Sequence, residues 1–249
     1  QEQPDLLLVQ GDTATALAGA LAAFYQRVPV GHVEAGLRTL EPYNPYPEEM
    51  HRRVITRLAS YHFAATDLNR QTLLAEGVPD EGIFVTGNPV VDAVQSIVRR
   101  GETTTQTLQL LAATQGLKRL VLTTHRRESF GTTMADNLRV LRRFVDRHED
   151  ICLLFPVHPN PHVTQQAQEI LAGQPRIHLL APLGYPDFIR LLAEAWLIVS
   201  DSGGVQEEAP TLGRPVLVMR ETTERPEAIA AGVARLVHGG PVHLAQLLD

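Results

Sequence analysis

Ionisable side chains recur in this 249-residue chain just where short apolar runs end. Asp12 follows the run at 6–9, and Glu34 follows the run at 29–33. Glu48 opens a helix behind the proline-rich loop Glu41-Pro-Tyr-Asn-Pro-Tyr-Pro47. His125 lies in Thr123-Thr-His-Arg-Arg-Glu-Ser129, and His158 in Pro156-Val-His-Pro-Asn-Pro161. Arg220 and Arg225 share the loop Met219-Arg-Glu-Thr-Thr-Glu-Arg-Pro-Glu227. Each has a plain structural use: Asp12 as a helix cap, Glu48 as a first-turn carboxylate favoured by the helix dipole, His158 as a hydrogen-bonded loop residue. Taken together at strand ends, they mark the rim where open α/β sheets place ligands. Several carboxylates beside one anionic ligand push at least one pKa upward, supplying an acid and a base in one site. Such equipment suits proton transfer on a sugar.

The ligand's anionic end is suggested by residues 197–219. Leu197, Ile198 and Val199 form an apolar run suited to a strand buried on both faces. Asp201 and Ser202 are good N-cap types. Gly203 and Gly204 let a ligand approach the backbone. The helix that follows directs unpaired N–H groups and a positive dipole end at the same spot, which suits a phosphate. Glu208, about one turn further on, faces the same ligand. A carboxylate is repelled by phosphate, so ribose hydroxyls are its natural partner. Gly203, Gly204, Glu208, Arg225 and His125 thus read as a nucleotide-diphosphate set, and Asp12, Glu34 and Glu48 as a proton-transfer set. The alternative reading of the glycines is an ordinary tight turn, because Gly-Gly is weaker evidence than a full dinucleotide fingerprint.

Two series of alternating strands and helices would position these groups, the pattern of parallel sheets covered by helices. The first has strands at 6–9, 29–33, 61–64 and 83–85, with Asp12 or Thr13 capping the helix 14–26. Thr86-Gly-Asn-Pro89 breaks the pattern, and a polar helical stretch follows over 90–116. The second series has strands at 120–123, 151–155, 177–179, 197–199, 215–218 and 234–237. The expected architecture is therefore α/β, with two doubly wound domains, 1–88 and 89–249, whose strand ends face a cleft.

A formal net charge of −6 without basic blocks argues against nucleic-acid binding. No apolar run reaches the ~18 residues of a membrane span, and no signal peptide precedes the first strand. The single cysteine, Cys152, sits in an apolar run as a core residue. A cytoplasmic enzyme is the default. His32, His125, His158 and His162 lack zinc-site spacing, so no metal is assigned, and no cofactor.

Together these segments resemble the non-hydrolysing UDP-N-acetylglucosamine 2-epimerases. The resemblance rests on Gly11-Asp12-Thr13, His32-Val-Glu-Ala-Gly-Leu-Arg-Thr39, Pro47-Glu-Glu49, Thr86-Gly-Asn-Pro89, His125-Arg-Arg-Glu-Ser129, His158-Pro-Asn-Pro161, Asp201-Ser-Gly-Gly-Val-Gln-Glu-Glu-Ala-Pro210 and Arg220-Glu-Thr-Thr-Glu-Arg-Pro-Glu227, in the family's order. It implies a GT-B-type fold of two Rossmann-like domains, with UDP held mainly by the second. It also implies interconversion of UDP-N-acetylglucosamine and UDP-N-acetylmannosamine through elimination and re-addition of UDP. By motif it makes Asp12, Glu34, Glu48 and His125 catalytic, His125 also lying near the diphosphate. Ser202, Gly203 and Gly204 become phosphate contacts, Glu208 the ribose contact, Arg225 a further UDP contact and Phe188 a uracil-side residue. Leu183 stands where some relatives would carry glutamine. Arg126 and Glu128 would adjoin an activator site found in some bacterial members. A homodimer is implied for the intact protein. The family's Gly-Thr-Arg-Pro-Glu turn, its first βα units and its final crossing helix have no counterpart here, so the first domain is expected to be partial. A hydrolysing epimerase, a GT-B glycosyltransferase and a non-catalytic nucleotide-sugar sensor are the rival readings.

Overall fold

The computed structural model describes residues 3–39, 41–124 and 132–249. Its contacts divide the chain into two compact units, Gln1–Pro89 and Val90–Asp249. Unit 1 runs β1 (Leu7–Gln10), α1 (Ala14–Tyr25), β2 (Val30–Ala35), α2 (Glu48–Leu58), β3 (Tyr61–Ala64), α3 (Asp67–Ala75), a 3-10 turn (Asp80–Gly82) and β4 (Ile83–Val85). The strands form one parallel sheet in the order β1-β2-β3-β4. Ala16, Ala20 and Ala23 are the buried face of α1. Their small side chains let the helix lie close to the sheet.

Thr13, not Asp12, caps α1: its Oγ1 accepts from the Ala16 N–H at 3.1 Å. The second strand extends beyond the apolar run that announces it and takes in Glu34. Its pairing with β3 shifts register between Val33 and Ala35, and Glu34 has φ +64°. A β-bulge re-aims the side chain at a strand end, and left-handed backbone costs a non-glycine residue roughly 1–2 kcal/mol. The glycine two residues on is obligatory. Gly36 has φ +86°, and a Cβ there would sit 2.4 Å from the Asn69 carbonyl oxygen.

Unit 2 begins with two helices, α4 (Pro89–Arg100) and α5 (Thr105–Ala113), in place of one long helix. Gly101, at φ +65°, interrupts the path, and Thr104 restarts it by accepting from the Thr107 N–H. Then follow β5 (Lys118–Thr123), α6 (Thr132–Arg147), β6 (Ile151–Pro156), α7 (Pro161–Leu171), β7 (Ile177–Leu180), α8 (Tyr185–Ala193), β8 (Leu197–Ser200), α9 (Val205–Thr211), β9 (Val216–Val218), α10 (Pro226–Ala230), β10 (Ala234–Leu236) and α11 (Pro241–Leu248). The parallel sheet has the order β10-β9-β8-β5-β6-β7. Residues 151–155 of β6 are buried without alternation, because helices cover both faces. Cys152 is fully buried there, and burial pushes its thiol pKa up.

The strand order reverses between β5 and β8, the switch point at which doubly wound sheets bind ligands. Thr123 pairs with Ser200, so the loops leaving these two strands start side by side. Thr124 Oγ1 donates to Asp201 Oδ2 at 2.7 Å. Asp201 therefore ties two strand ends together. It does not cap α9, whose N-cap is Gly204, without a side-chain bond. Among the described residues no helix is long and apolar enough to cross a membrane.

Candidate active site

In unit 1 the chain brings Asp12, Glu34 and Asn88 to the carboxyl ends of the strands. Asp12 lies in the β1–α1 turn, where Arg52 grips its Oδ2 through Nε at 2.8 Å and Nη2 at 2.7 Å. His51 Nδ1 is 2.7 Å from the Asp12 carbonyl oxygen, and His32 Nε2 is 2.9 Å from that of Gly11. Side chains from α2 and β2 thus hold the turn from both sides. The bulge at Glu34 points its carboxylate back over β1. Oε1 accepts from Gln10 Nε2 at 3.1 Å and from Asn88 Nδ2 at 3.3 Å.

The adjacent pair Glu48 and Glu49 separates cleanly. Glu49 is fully buried and accepts from the Thr39 N–H at 3.1 Å, Arg52 Nη1 at 3.0 Å and Arg53 Nε at 2.8 Å. A buried carboxylate so paired is scaffolding: it fixes Arg52, which fixes Asp12. Glu48 is half-buried, and among the described residues no cation or donor is placed on it. It is the carboxylate at the start of α2 left able to meet a ligand.

In unit 2 the turn after β8 collects the second set. The first helical N–H groups to find acceptors are those of Gln206, Glu207 and Glu208, bonded to the carbonyls of Gly203 and Gly204. The N–H groups of Gly203, Gly204 and Val205 stay outside that ladder. A Cβ on Gly203 would lie 3.2 Å from Arg225 Nη1 and 3.3 Å from Glu224 Oε1. One on Gly204 would lie 3.9 Å from Glu208 Oε1 and from Ser202 Oγ. Ser202, Gly203, Gly204, Glu208 and Arg225 therefore surround a single turn. Arg225 arrives already engaged, with Nε 2.5 Å from Glu207 Oε1 and Nη1 2.5 Å from Glu224 Oε1. Phe188 and Leu183 pack, half-buried, against an apolar cluster of the unit.

Glu208 is buried, and burial raises its pKa; Glu207 adds to the rise, while a hydrogen bond from Tyr185 opposes it. Burial and the Glu208 carboxylate together raise the Tyr185 phenol. His32, also buried, is pulled down to about 4 by burial first, against the opposing bond to Gly11. His158 is placed in the loop opening α7, where its Nδ1 accepts from the Asn160 N–H at 3.2 Å. His125, Arg126 and Glu128 lie outside the described residues. Among those described, no three His, Cys, Asp or Glu side chains gather to hold a metal ion. Reading the sequence missed Arg52, His51, Asn88 and Tyr185. Their partners lie 23 to 54 positions away, and no local pattern announces such pairings.

A model of the UDP-N-acetylglucosamine 2-epimerase family matches residues 1–248. The UDP-N-acetylglucosamine 2-epimerase of Salmonella typhimurium is 51% identical over 241 residues, covering 94% of this chain. The chain spans 64% of that relative's length. A Staphylococcus aureus MnaA–UDP co-structure superposes with TM-score 0.93 at 41% identity, covering 98% of this chain and 66% of that one. The UDP-GlcNAc 2-epimerase of Neisseria meningitidis bound to UDP-GlcNAc superposes with TM-score 0.92 at 41% identity, covering 98% and 67%.

Proposed function

The chain belongs to the UDP-N-acetylglucosamine 2-epimerase family, and on that premise we propose that it takes part in reversible C2 epimerisation of UDP-N-acetylglucosamine by elimination and re-addition of UDP. One observation carries the reading: the Gly203–Gly204 turn, with Glu208 and Arg225 beside it, is suited to a ribose diphosphate. UDP and UDP-GlcNAc are the ligands named for the two solved relatives.

The route proposed is the one that the family resemblance implies. A base takes the C2 proton, the C1–O bond breaks with its electron pair leaving on the diphosphate, and a C1–C2 double bond forms. UDP oxygen then returns to C1 while C2 takes a proton on the opposite face. Proton removal and delivery on two faces need more than one group, and unit 1 offers Asp12, Glu34 and Glu48. Of these, Glu48 is the least engaged and Asp12 the most, being held by Arg52. Charge developing on the leaving diphosphate is met by the turn's N–H groups and Arg225, with His125 assigned to the same task by motif. Asp12, Glu34, Glu48 and His125 are thus the catalytic set. Ser202, Gly203, Gly204, Glu208, Arg225 and Phe188 are the UDP set, and the intact protein is a cytoplasmic homodimer.

Solvent deuterium tests the reaction. In heavy water the protein should place deuterium at C2 of both epimers, because the acid and base exchange with solvent. A hydrolysing enzyme would release free N-acetylmannosamine, and a glycosyltransferase or a sensor would leave C2 untouched. Epimerisation without C2 deuterium would remove the carboxylates from the role given them here.

A further inference from the structure

Tyr185 opens α8, 23 positions before Glu208. Its hydroxyl donates to Glu208 Oε1 at 2.8 Å. Glu208 is only 6% exposed, and among the described residues no donor reaches its other oxygen, Oε2. The carboxylate stands next to the Gly204 backbone, with one oxygen held from α8 and one left open.

We propose that Tyr185 is a positioning residue of the nucleotide site: its hydroxyl fixes the Glu208 carboxylate in the rotamer and charge state that accept both ribose hydroxyls. The proposal rests on the UDP-binding reading above. Its physical basis is the conflict at Glu208. An ionised carboxylate accepts at both of its oxygens, whereas burial favours its neutral form, in which one oxygen becomes a donor. Glu207, on the same helix, pushes the same way. Arg225 is spread over Glu207 and Glu224, so it does not relieve Glu208 directly. β9, packed on α9, carries no charged residue. On α8, Asp187 turns to Thr104 and Arg190 to Glu194. On α10, Glu227 adds no opposing positive charge. Tyr185 is then the donor that opposes protonation of Glu208, and it does so without a formal charge that would compete with the ligand's.

Tyr185→Phe removes one oxygen from a half-exposed ring and leaves the packing intact. Titration calorimetry with UDP and with inorganic pyrophosphate reads its effect. Loss of a hydrogen bond to a charged group should weaken UDP about tenfold at pH 7 and leave pyrophosphate unchanged. The acid limb of UDP binding should move to higher pH, because Glu208 then protonates more readily. In a Glu208→Gln background, Tyr185→Phe should add less than about a twofold loss, since its effect runs through the carboxylate. A full tenfold loss in that background would mean that Tyr185 touches the ligand itself, and would overturn the proposal. So would equal losses for UDP and pyrophosphate, or an unmoved pH limb. If the parent chain fails to bind UDP, the nucleotide reading falls by itself. The Tyr185 claim is then decided by carboxyl carbon NMR, where Glu208 should titrate higher in Tyr185→Phe, and an unchanged titration overturns it.

Discussion

Acidification should destabilise unit 1 through His32. The ring is fully buried on β2, opposite His62 of β3 in the sheet register. As a neutral imidazole it donates Nε2–H to the Gly11 carbonyl and leaves Nδ1 without a partner. Protonation would add a buried N–H with nothing to receive it and a charge near His62 and Arg38. Burial therefore holds the pKa at about 4, against about 6.5 for an unfolded histidine. The sign follows: between these values the unfolded chain takes up a proton that the folded chain refuses. Stability is fully present above pH 6.5 and is lost as pH falls toward 4. At ~1.36 kcal/mol per pH unit, the loss is about 2 kcal/mol by pH 5 and about 3 kcal/mol by pH 4. His32→Gln keeps a donor for Gly11 and cannot titrate. Urea unfolding followed by far-UV circular dichroism at pH 7, 6 and 5 should show the parent losing about 2 kcal/mol more than the variant. The comparison isolates His32 from His62 and His178, whose values burial also lowers. Trp196, the single tryptophan, lies in unit 2, so its fluorescence reports that unit apart from the affected one. Equal losses in parent and variant would refute the argument.

Gly36→Ala should cost unit 1 about 3 kcal/mol or more, since it combines φ +86° with a 2.4 Å approach to the Asn69 carbonyl; an unchanged unfolding midpoint would show that the loop relaxes. Gly203→Val should abolish UDP binding in a folded protein by displacing Arg225 and Glu224, which already lie within 3.2–3.3 Å of the new Cβ; unchanged affinity by calorimetry would make the turn purely structural. Glu34→Gln and Glu48→Gln should each lower turnover about 10²–10⁴-fold while UDP still binds. Glu49→Gln should instead show up as lost thermal stability, because its carboxylate is committed to Arg52 and Arg53; if the Glu48 and Glu49 variants behaved alike, the division between them would fail.

Much of the architecture is local, and so was legible in the residues. Unbroken short apolar runs such as 151–155 suit strands covered on both faces, and glycine pairs after such runs suit turns. Helix breaks are less visible: Gly101 and Thr104 interrupt 90–116 with signals that a polar helix tolerates. The ends of β2 were misplaced because a bulge lets a glutamate continue a strand that its apolar residues have left.

The candidate site divides along the same line. Asp12, Glu34, Glu48, Gly203, Gly204 and Glu208 are nameable as candidates from residue type and strand-end position, because the proposed chemistry needs those types there. Which carboxylate is free and which is bound was not. Glu48 and Glu49 are neighbours of equal character, and only the approach of Thr39, Arg52 and Arg53 commits one of them. Asp201 looked like a helix cap until the strand order set β5 beside β8 and gave it Thr124, 77 positions away. Tyr185 acquired its partner in the same way, when α8 packed beside α9. The sequence by itself determined where backbone geometry and hydrophobic burial act over a few residues. The tertiary structure alone decided which distant charges meet, because strand order is the outcome of packing the whole sheet and is written in no single segment.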